Sequence, residues 1–346
     1  MTEVVLHEAM LYDRREDAAV QCRVCPRRCV IAEGKSGICR ARQNRDGTLY
    51  ALIYERVCSV AADPVEKKPL YHFFPGSTVL SLGSVGCNFT CRHCQNWQIA
   101  HADATAIARD LRALPVRNLP VLADHNGCQG VAWTYNEPTI WLEYILDGAQ
   151  VAHEHGLYTV MVTNGYITDE ALDVLAPHID AYRVDVKAFS AAAYQELCRI
   201  RDYETVLRAA IRAKHEFGCH VEIVTNVIPT LNDDETMLRD IARWIARELG
   251  PETPWHVTRF MPYLELAHLP ATPIRTLERA VEIGGDEGLR FVYVGNVPGH
   301  AGENTVCPNC KRLLVRRTGY EIEDVALRGT LCAMCGENVN VRTAVK

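Results

Sequence analysis

The sequence predicts an α/β protein built on a partial (βα)6-type barrel, with a cysteine-rich region before it and a zinc-ribbon-like region after it. Three observations carry this. Short, apolar, often β-branched runs alternate with helical patterns through the middle of the chain, as in Tyr158-Thr-Val-Met-Val-Thr163, and repeated strand–helix units imply a parallel sheet with helices outside. Polar residues gather where each strand should end, as in Thr134-Tyr-Asn-Glu137, Thr163-Asn-Gly165, Asp185 with Lys187, Thr225-Asn226, Arg259 and Gly295-Asn296. The chemistry of such folds sits at those strand ends. The cysteines, finally, are clustered rather than spread.

In chain order, the region 1–75 lacks the βα rhythm and carries Cys22, Cys25, Cys29 and Cys39. A strand over 79–83 then leads through Ser84-Val85-Gly86 into Cys87-x3-Cys91-x2-Cys94. The stretch 103–129 reads as an irregular crossover, with a short helical run from Ala104 to Leu114. Further strands fall at 130–135, 158–163, 181–187, 221–227, 255–260 and 290–295, with helices over 138–155, 202–217, 233–249 and 273–287. Pro138 suits the first turn of one helix, and Asp233-Asp-Glu235 gives another an acidic start. About six units form an incomplete barrel over 76–299. The region 300–346 again lacks the rhythm and carries Cys307, Cys310, Cys332 and Cys335.

Composition narrows the function classes. The chain has 346 residues, 48% of them hydrophobic, enough for a full core and more than one domain. A net charge of −6 gives no drive toward nucleic acid or anionic membranes. The basic pairs Arg14-Arg15, Arg27-Arg28 and Arg316-Arg317 read as solvated faces. Neither a long apolar span nor a signal-peptide core is present, which points to a cytoplasmic protein. Fifteen cysteines without a signal sequence, eleven of them in three compact groups, indicate metal binding in a reducing compartment rather than disulfides.

The groups differ in kind. Structural zinc sites close four positions and most iron–sulfur sites bring four cysteines. A compact trio at a strand end therefore argues for an open, reactive centre: a [4Fe–4S] cluster with one iron left for a small molecule. Zinc with a remote ligand such as His93 or His101 is the alternative. The C-terminal pairs Cys307-x2-Cys310 and Cys332-x2-Cys335 form knuckle turns that fit tetrahedral zinc, although their 21-residue spacer exceeds the usual window. Lys311, Arg312, Arg316 and Arg317 beside them hint at a nucleic-acid face, but a stabilising ribbon is the stronger reading. At Cys22, Cys25, Cys29 and Cys39 both zinc and an auxiliary [4Fe–4S] cluster fit, with the knuckle-like turns favouring zinc.

Nearly the whole chain resembles one radical SAM family, the AmmeMemoRadiSam system radical SAM enzymes, relatives of pyruvate formate-lyase activating enzymes. The likeness runs through Cys22-Arg-Val-Cys-Pro-Arg-Arg-Cys29, Asp63-Pro-Val-Glu-Lys-Lys-Pro-Leu70, Gly86-Cys-Asn-Phe-Thr-Cys-Arg-His-Cys-Gln-Asn-Trp97, Thr134-Tyr-Asn-Glu-Pro138, Val184-Asp-Val-Lys187 and Tyr293-Val-Gly-Asn-Val-Pro-Gly-His300. The crossover near 103–129 and the last ten residues depart from the pattern.

This resemblance implies that Cys87, Cys91 and Cys94 ligate a [4Fe–4S] cluster whose open iron chelates S-adenosylmethionine (SAM). Glu137 lies where the superfamily has a Gly-Gly-Glu segment for the methionine amino group; here both glycines are missing, and Asn136 offers an amide oxygen instead. Asp185 and Lys187 share one face of a strand and are expected at the methionine carboxylate and ribose. Asn164 and Asn226 are ribose or adenine contacts, and the Val227-Ile228-Pro229 run gives the adenine an apolar face. His256 and Arg259 are expected on the substrate side. The implied activity is reductive SAM cleavage to a 5′-deoxyadenosyl radical that abstracts hydrogen in an oxygen-sensitive enzyme. Its electron donor would be a flavodoxin or ferredoxin, and its substrate a protein or peptide, with AMMECR1-like and Memo-like proteins as partners. Two alternatives are a glycyl-radical-enzyme activase and a non-catalytic zinc scaffold.

Overall fold

A computed structural model describes residues 6–107 and 110–343. Its centre is one eight-stranded sheet whose strands lie side by side in chain order. These are β1 (Ser59–Pro64), β2 (Thr78–Gly83), β3 (Gly130–Trp133), β4 (Tyr158–Thr163), β5 (Ala181–Asp185), β6 (His220–Val227), β7 (Trp255–Arg259) and β8 (Val292–Gly295). From β2 to β8 all neighbours are parallel, while β1 runs antiparallel to β2. All seven expected strands are present. The sheet is open: among the described residues β1 and β8 do not pair, so the barrel is partial.

The strands read as apolar runs because both faces are covered: every residue of β3 is buried, and β2 is buried from its second residue on. Gly130 pairs with Tyr158, and a β-carbon there would overlap the Tyr158 ring. The outer helices are α1 (Leu142–Glu154), α2 (Asp169–Leu175), α3 (Ala191–Cys198), α4 (Glu204–His215), α5 (Glu235–Trp244) and α6 (Ile274–Asp286). Several starts are capped by side chains: Thr168, Ser190 and Asp234 accept from the amides of Ala171, Ala193 and Met237. Asp234 is thus the cap that the acidic run 233–235 foreshadows. α2 and α3 escaped the periodicity reading because each is only two turns long.

The crossover is shorter in helix than expected. A turn at Ala104–Ile107 is followed by a two-residue strand, Arg112–Ala113, that pairs with Arg56–Val57, and then by a helix at Leu119–His125. Ala108 and Arg109, within the expected helical run, lie outside the described residues.

The N-terminal region shares the main core with the barrel through Val20, Val24, Ile31, Leu49 and Ile53. A buried ion pair binds it to α1. Arg42 donates to both carboxylate oxygens of Glu143 at 2.9 and 2.7 Å, and the Met10 amide reaches the same carboxylate at 2.7 Å. At the other edge, β9 (Leu313–Thr318) and β10 (Glu321–Val325) form a hairpin. Their region packs Leu314 and Val315 against Tyr71, Phe291 and Tyr293. Arg317 is 2% exposed and donates to the Tyr71 carbonyl and to Thr305. The expected solvated face at Arg316-Arg317 is therefore half wrong, because one of the two arginines is a buried tie between ribbon and barrel. No helix among the described residues is long and apolar enough to cross a membrane.

Candidate active site

The strand ends converge on a cavity of about 490 Å³, within the usual range for a small-molecule site. Cys87, Cys91 and Cys94 lie on its wall, with Asn136, Glu137, Asn164, Asp185, Lys187 and Asn226. Of the residues singled out as cofactor contacts, Ile228 stands apart. It is buried, its amide is held by the Asn232 carboxamide at 2.6 Å, and it does not line the cavity. His256 and Arg259 are not lining residues either. His256 points into the sheet's interior, where it meets Glu222 at 2.6 Å, and Arg259 donates to the Thr272 carbonyl. A five-residue strand places alternate residues on opposite faces, and tertiary packing puts the His256 ring against Tyr71.

The cysteine loop is clamped from both sides. Asn136 accepts from the Ser84 amide at 3.2 Å and donates to the Gly86 carbonyl at 3.1 Å, while Asn96 donates to the Tyr135 carbonyl. Asn164 donates to Asn88 at 2.8 Å, and its nitrogen lies 3.9 Å from the Cys87 sulfur. Arg92 pairs outward with Glu196 and Glu265. Burial pushes the Cys87 thiol well up and Cys94 up to about 11. Cys91 is held below the usual thiol range, first by a hydrogen bond from Cys198 and also by the charge of Lys187. Cys198, at the end of α3, belongs to none of the three sequence groups, and only the fold brings it to Cys91.

The fit to a cluster rests on sulfur spacing. Four sulfurs closed on one zinc at about 2.3 Å stand about 3.8 Å apart. The C-terminal four meet that: Cys307 and Cys335 are 3.6 Å apart, Cys310 and Cys332 3.7 Å, and all four lie within 4.8 Å of one another. Among the described residues no other group of three or more ligand atoms is so tight. The three sulfurs at 87–94 are not drawn together to that spacing, which is compatible with a polynuclear cluster rather than a closed single-ion site.

Glu137 is 1% exposed and already accepts three hydrogen bonds, from the Thr139 amide (2.8 Å), the Thr163 hydroxyl (2.6 Å) and the Asn164 amide (2.8 Å). It caps the helical turn after β3 and ties that turn to β4. A carboxylate has about four acceptor sites, so one remains. Burial pushes its carboxyl up against the pull of these donors. Asp185 sits between Arg183, which donates to one oxygen, and Lys187, 3.1 Å from the other. Burial alone would raise the Asp185 carboxyl, but the two cations outweigh it and hold it below the usual range. Two cations against one anion leave this wall positive.

Lys68, Gly319 and Tyr320 line the cavity without having been singled out from sequence, and His93 was named there only as a remote zinc ligand. Lys68 is 2% exposed and pairs with Asp63 at 2.6 Å, and Tyr135 donates to the same oxygen at 2.6 Å. Burial lowers Lys68 to about 8 despite that partner. His93 is buried on the cavity wall, its Nδ1 has no partner, and burial lowers it to about 3, so the ring is neutral. From the C-terminal hairpin, Gly319 and Tyr320 also reach the cavity. The Asp63-Pro-Val-Glu-Lys-Lys run was legible as a motif, but only the folded chain shows its lysines at the cavity.

An open parallel sheet whose strand ends face a splayed cysteine loop and a polar cavity defines an α/β cofactor enzyme. The Radical SAM superfamily profile matches residues 82–242. The chain is 42% identical over 338 residues to an uncharacterized protein of Methanocaldococcus jannaschii, covering 97% of this chain and 99% of that one. It is 24% identical to the pyruvate formate-lyase-activating enzyme of Clostridium pasteurianum, across 52% of this chain and 76% of that one. The crystal structure of a radical SAM methyltransferase from Sphaerobacter thermophilus shares the fold at a TM-score of 0.50 and 16% identity, over 67% of this chain and 71% of that one. Residues 82–242 carry a radical SAM domain: the protein is an enzyme whose cofactors are a [4Fe–4S] cluster and SAM.

Proposed function

We propose that Cys87, Cys91 and Cys94 hold the [4Fe–4S] cluster and that the cavity beside them binds SAM, with a protein or peptide segment as the substrate. The observation that carries this is one cavity lined by all three cysteines and by the polar ends of successive strands. With cluster and SAM bound, reductive cleavage supplies a 5′-deoxyadenosyl radical that abstracts hydrogen. The chain's own residues orient and enclose. The spare acceptor of Glu137 and the Asn136 amide oxygen suit the methionine ammonium. The positive Arg183–Asp185–Lys187 wall suits the methionine carboxylate. Asn164 and Asn226 face the space for ribose and adenine, and the open Nδ1 of His93 offers an acceptor to a ligand N–H or O–H. Ile228, away from the wall, backs this face only indirectly. A flavodoxin or ferredoxin would supply the electron.

In this reading residues 1–75 form a four-cysteine metal region, 76–299 the radical SAM domain, and 300–346 a zinc ribbon holding zinc at Cys307, Cys310, Cys332 and Cys335. The motifs quoted above support an assignment to the AmmeMemoRadiSam group, with AMMECR1-like and Memo-like proteins as partners and a cytoplasmic setting. A second reading, a glycyl-radical-enzyme activase, draws on the likeness to the Clostridium pasteurianum enzyme. It predicts a stable glycyl radical on a co-incubated glycyl-radical enzyme.

The test is anaerobic reconstitution followed by EPR of the reduced protein with and without SAM, and an assay for 5′-deoxyadenosine. A reduced-cluster signal altered by SAM, with nucleoside formed by the parent and not by Cys91→Ala, supports the reading. Zinc alone in all three cysteine groups, with no turnover, would leave a non-catalytic scaffold.

A further inference from the structure

The N-terminal cysteine group takes no part in the mechanism above. Cys22 ends the strand Val20–Cys22, Cys25 and Cys29 follow on one turn, and Cys39 sits on the next loop. All four are free thiols that line one small pocket with Arg27, Arg42, Asn88 and Ile140. Its volume is about 20 Å³, enough for a water-sized sphere. These sulfurs are not as tight as the C-terminal four, which alone among the described residues stand within 4.8 Å of one another. The knuckle turns by themselves favour zinc; the splayed sulfurs reverse that preference.

The pocket also touches the other cysteine loop. Asn88, the neighbour of Cys87, is part of its wall, and Arg27 donates to the Asn88 carbonyl at 3.1 Å. Gly86, on the other side of Cys87, has φ +90° and packs so closely that a β-carbon would overlap the Cys39 carbonyl oxygen. The two cysteine sites are thus in direct contact on both flanks of Cys87. Zinc is redox-inert and would make no use of that contact, whereas a redox centre would.

We propose that Cys22, Cys25, Cys29 and Cys39 hold a second, fully cysteine-ligated [4Fe–4S] cluster that relays electrons to the cluster on the Cys87 loop. This rests on the assignment of Cys87, Cys91 and Cys94 as cluster ligands. In the relay step the second cluster goes from the 1+ to the 2+ state as the first goes from 2+ to 1+. One electron moves and no proton does. A low-potential one-electron protein of the flavodoxin or ferredoxin class restores the 1+ state.

The experiment uses the full chain, reconstituted anaerobically with iron and sulfide. The triple variant Cys87→Ala/Cys91→Ala/Cys94→Ala should keep about four irons and four sulfides per chain, with a reduced-state EPR signal that SAM does not shift. A triple variant with no iron and a second zinc overturns the proposal, while a SAM-shifted signal in the parent would leave the radical SAM assignment standing. Conversely, a cluster in the triple variant beside a parent signal indifferent to SAM would uphold this site and sink the other. For the relay, 5′-deoxyadenosine formation is compared with flavodoxin and with dithionite as reductant. The flavodoxin-to-dithionite ratio should fall at least tenfold in Cys22→Ala/Cys39→Ala, and an unchanged ratio refutes the relay. Should that variant not fold, Arg27→Ala, which removes the bond between the loops together with the guanidinium's contact with Tyr166, is read the same way, with at least a twofold fall expected and no fall as the refutation.

Discussion

Lys187 reaches Asp185 and its charge is felt by Cys91, so its ammonium stands between the Asp185 carboxylate and the cysteine loop. Lys187→Met removes that charge while Arg183 still pairs with Asp185. SAM affinity should fall tenfold or more, about 1.4 kcal/mol, with iron content unchanged; an anaerobic EPR titration reads both. Equal affinity would take Lys187 out of the SAM site. Asp63 is the partner of buried Lys68 and accepts from Lys67 and Tyr135 as well. Asp63→Asn strands a buried cation and should destabilise by about 3 kcal/mol at pH 7, measured by urea unfolding. The Asp63 carboxyl would be raised by burial, but its donors outweigh that and hold it below the usual range. Its stabilising effect is therefore complete above the unfolded value of about 4 and is lost as pH falls below it. The gap between parent and variant should shrink on acidification. A gap that widens would mean that another group governs the acid limb.

Elements here are joined by a few buried polar ties. Arg42 lies in a short N-terminal strand, Glu143 in the first turn of α1, and both side chains are 2% exposed. Removing one partner of such a pair leaves an unpaired buried charge. Arg42→Ala should cost about 3–5 kcal/mol, and the double variant Arg42→Met/Glu143→Leu should recover most of it, as denaturant midpoints would show. If the double variant is no better than the single, packing rather than charge decides the cost. Seven strands of the sheet were readable because buried parallel strands are apolar throughout. The antiparallel edge β1 was not, because Ala61-Ala62-Asp63-Pro64 carries neither a long apolar run nor a strict alternation.

At the scale of the whole molecule, the C-terminal region is both a metal site and a wall of the cavity. Its sulfurs already stand at zinc spacing, and Arg317 ties it to Tyr71. Cys332→Ser should lose one zinc per chain by metal analysis and lower the thermal midpoint. The SAM-dependent change of the EPR signal should remain, because the hairpin reaches the cavity through Gly319 and Tyr320 and Cys332 does not line it. Loss of that change along with the zinc would show that the ribbon holds the SAM pocket in shape.

Local chemistry was readable along the chain. Cysteine spacing is set by which loop can wrap a metal, and the βα rhythm by periods of two and 3.6 residues. The cysteine groups, the strand positions and the polar strand ends on the cavity wall follow from those, and the family resemblance supplied their expected roles. Three things did not: Cys198 beside Cys91, Lys68 inside the cavity, and His256 engaged by Glu222 rather than lining it. Each depends on a contact between segments well separated along the chain, and on which face of a strand the packing buries. The same holds for the N-terminal cysteines, whose spacing admits zinc or a cluster and whose turns lean to zinc. Sulfur spacing and contact with the Cys87 loop, on which the cluster proposal rests, are distances that only the folded chain defines.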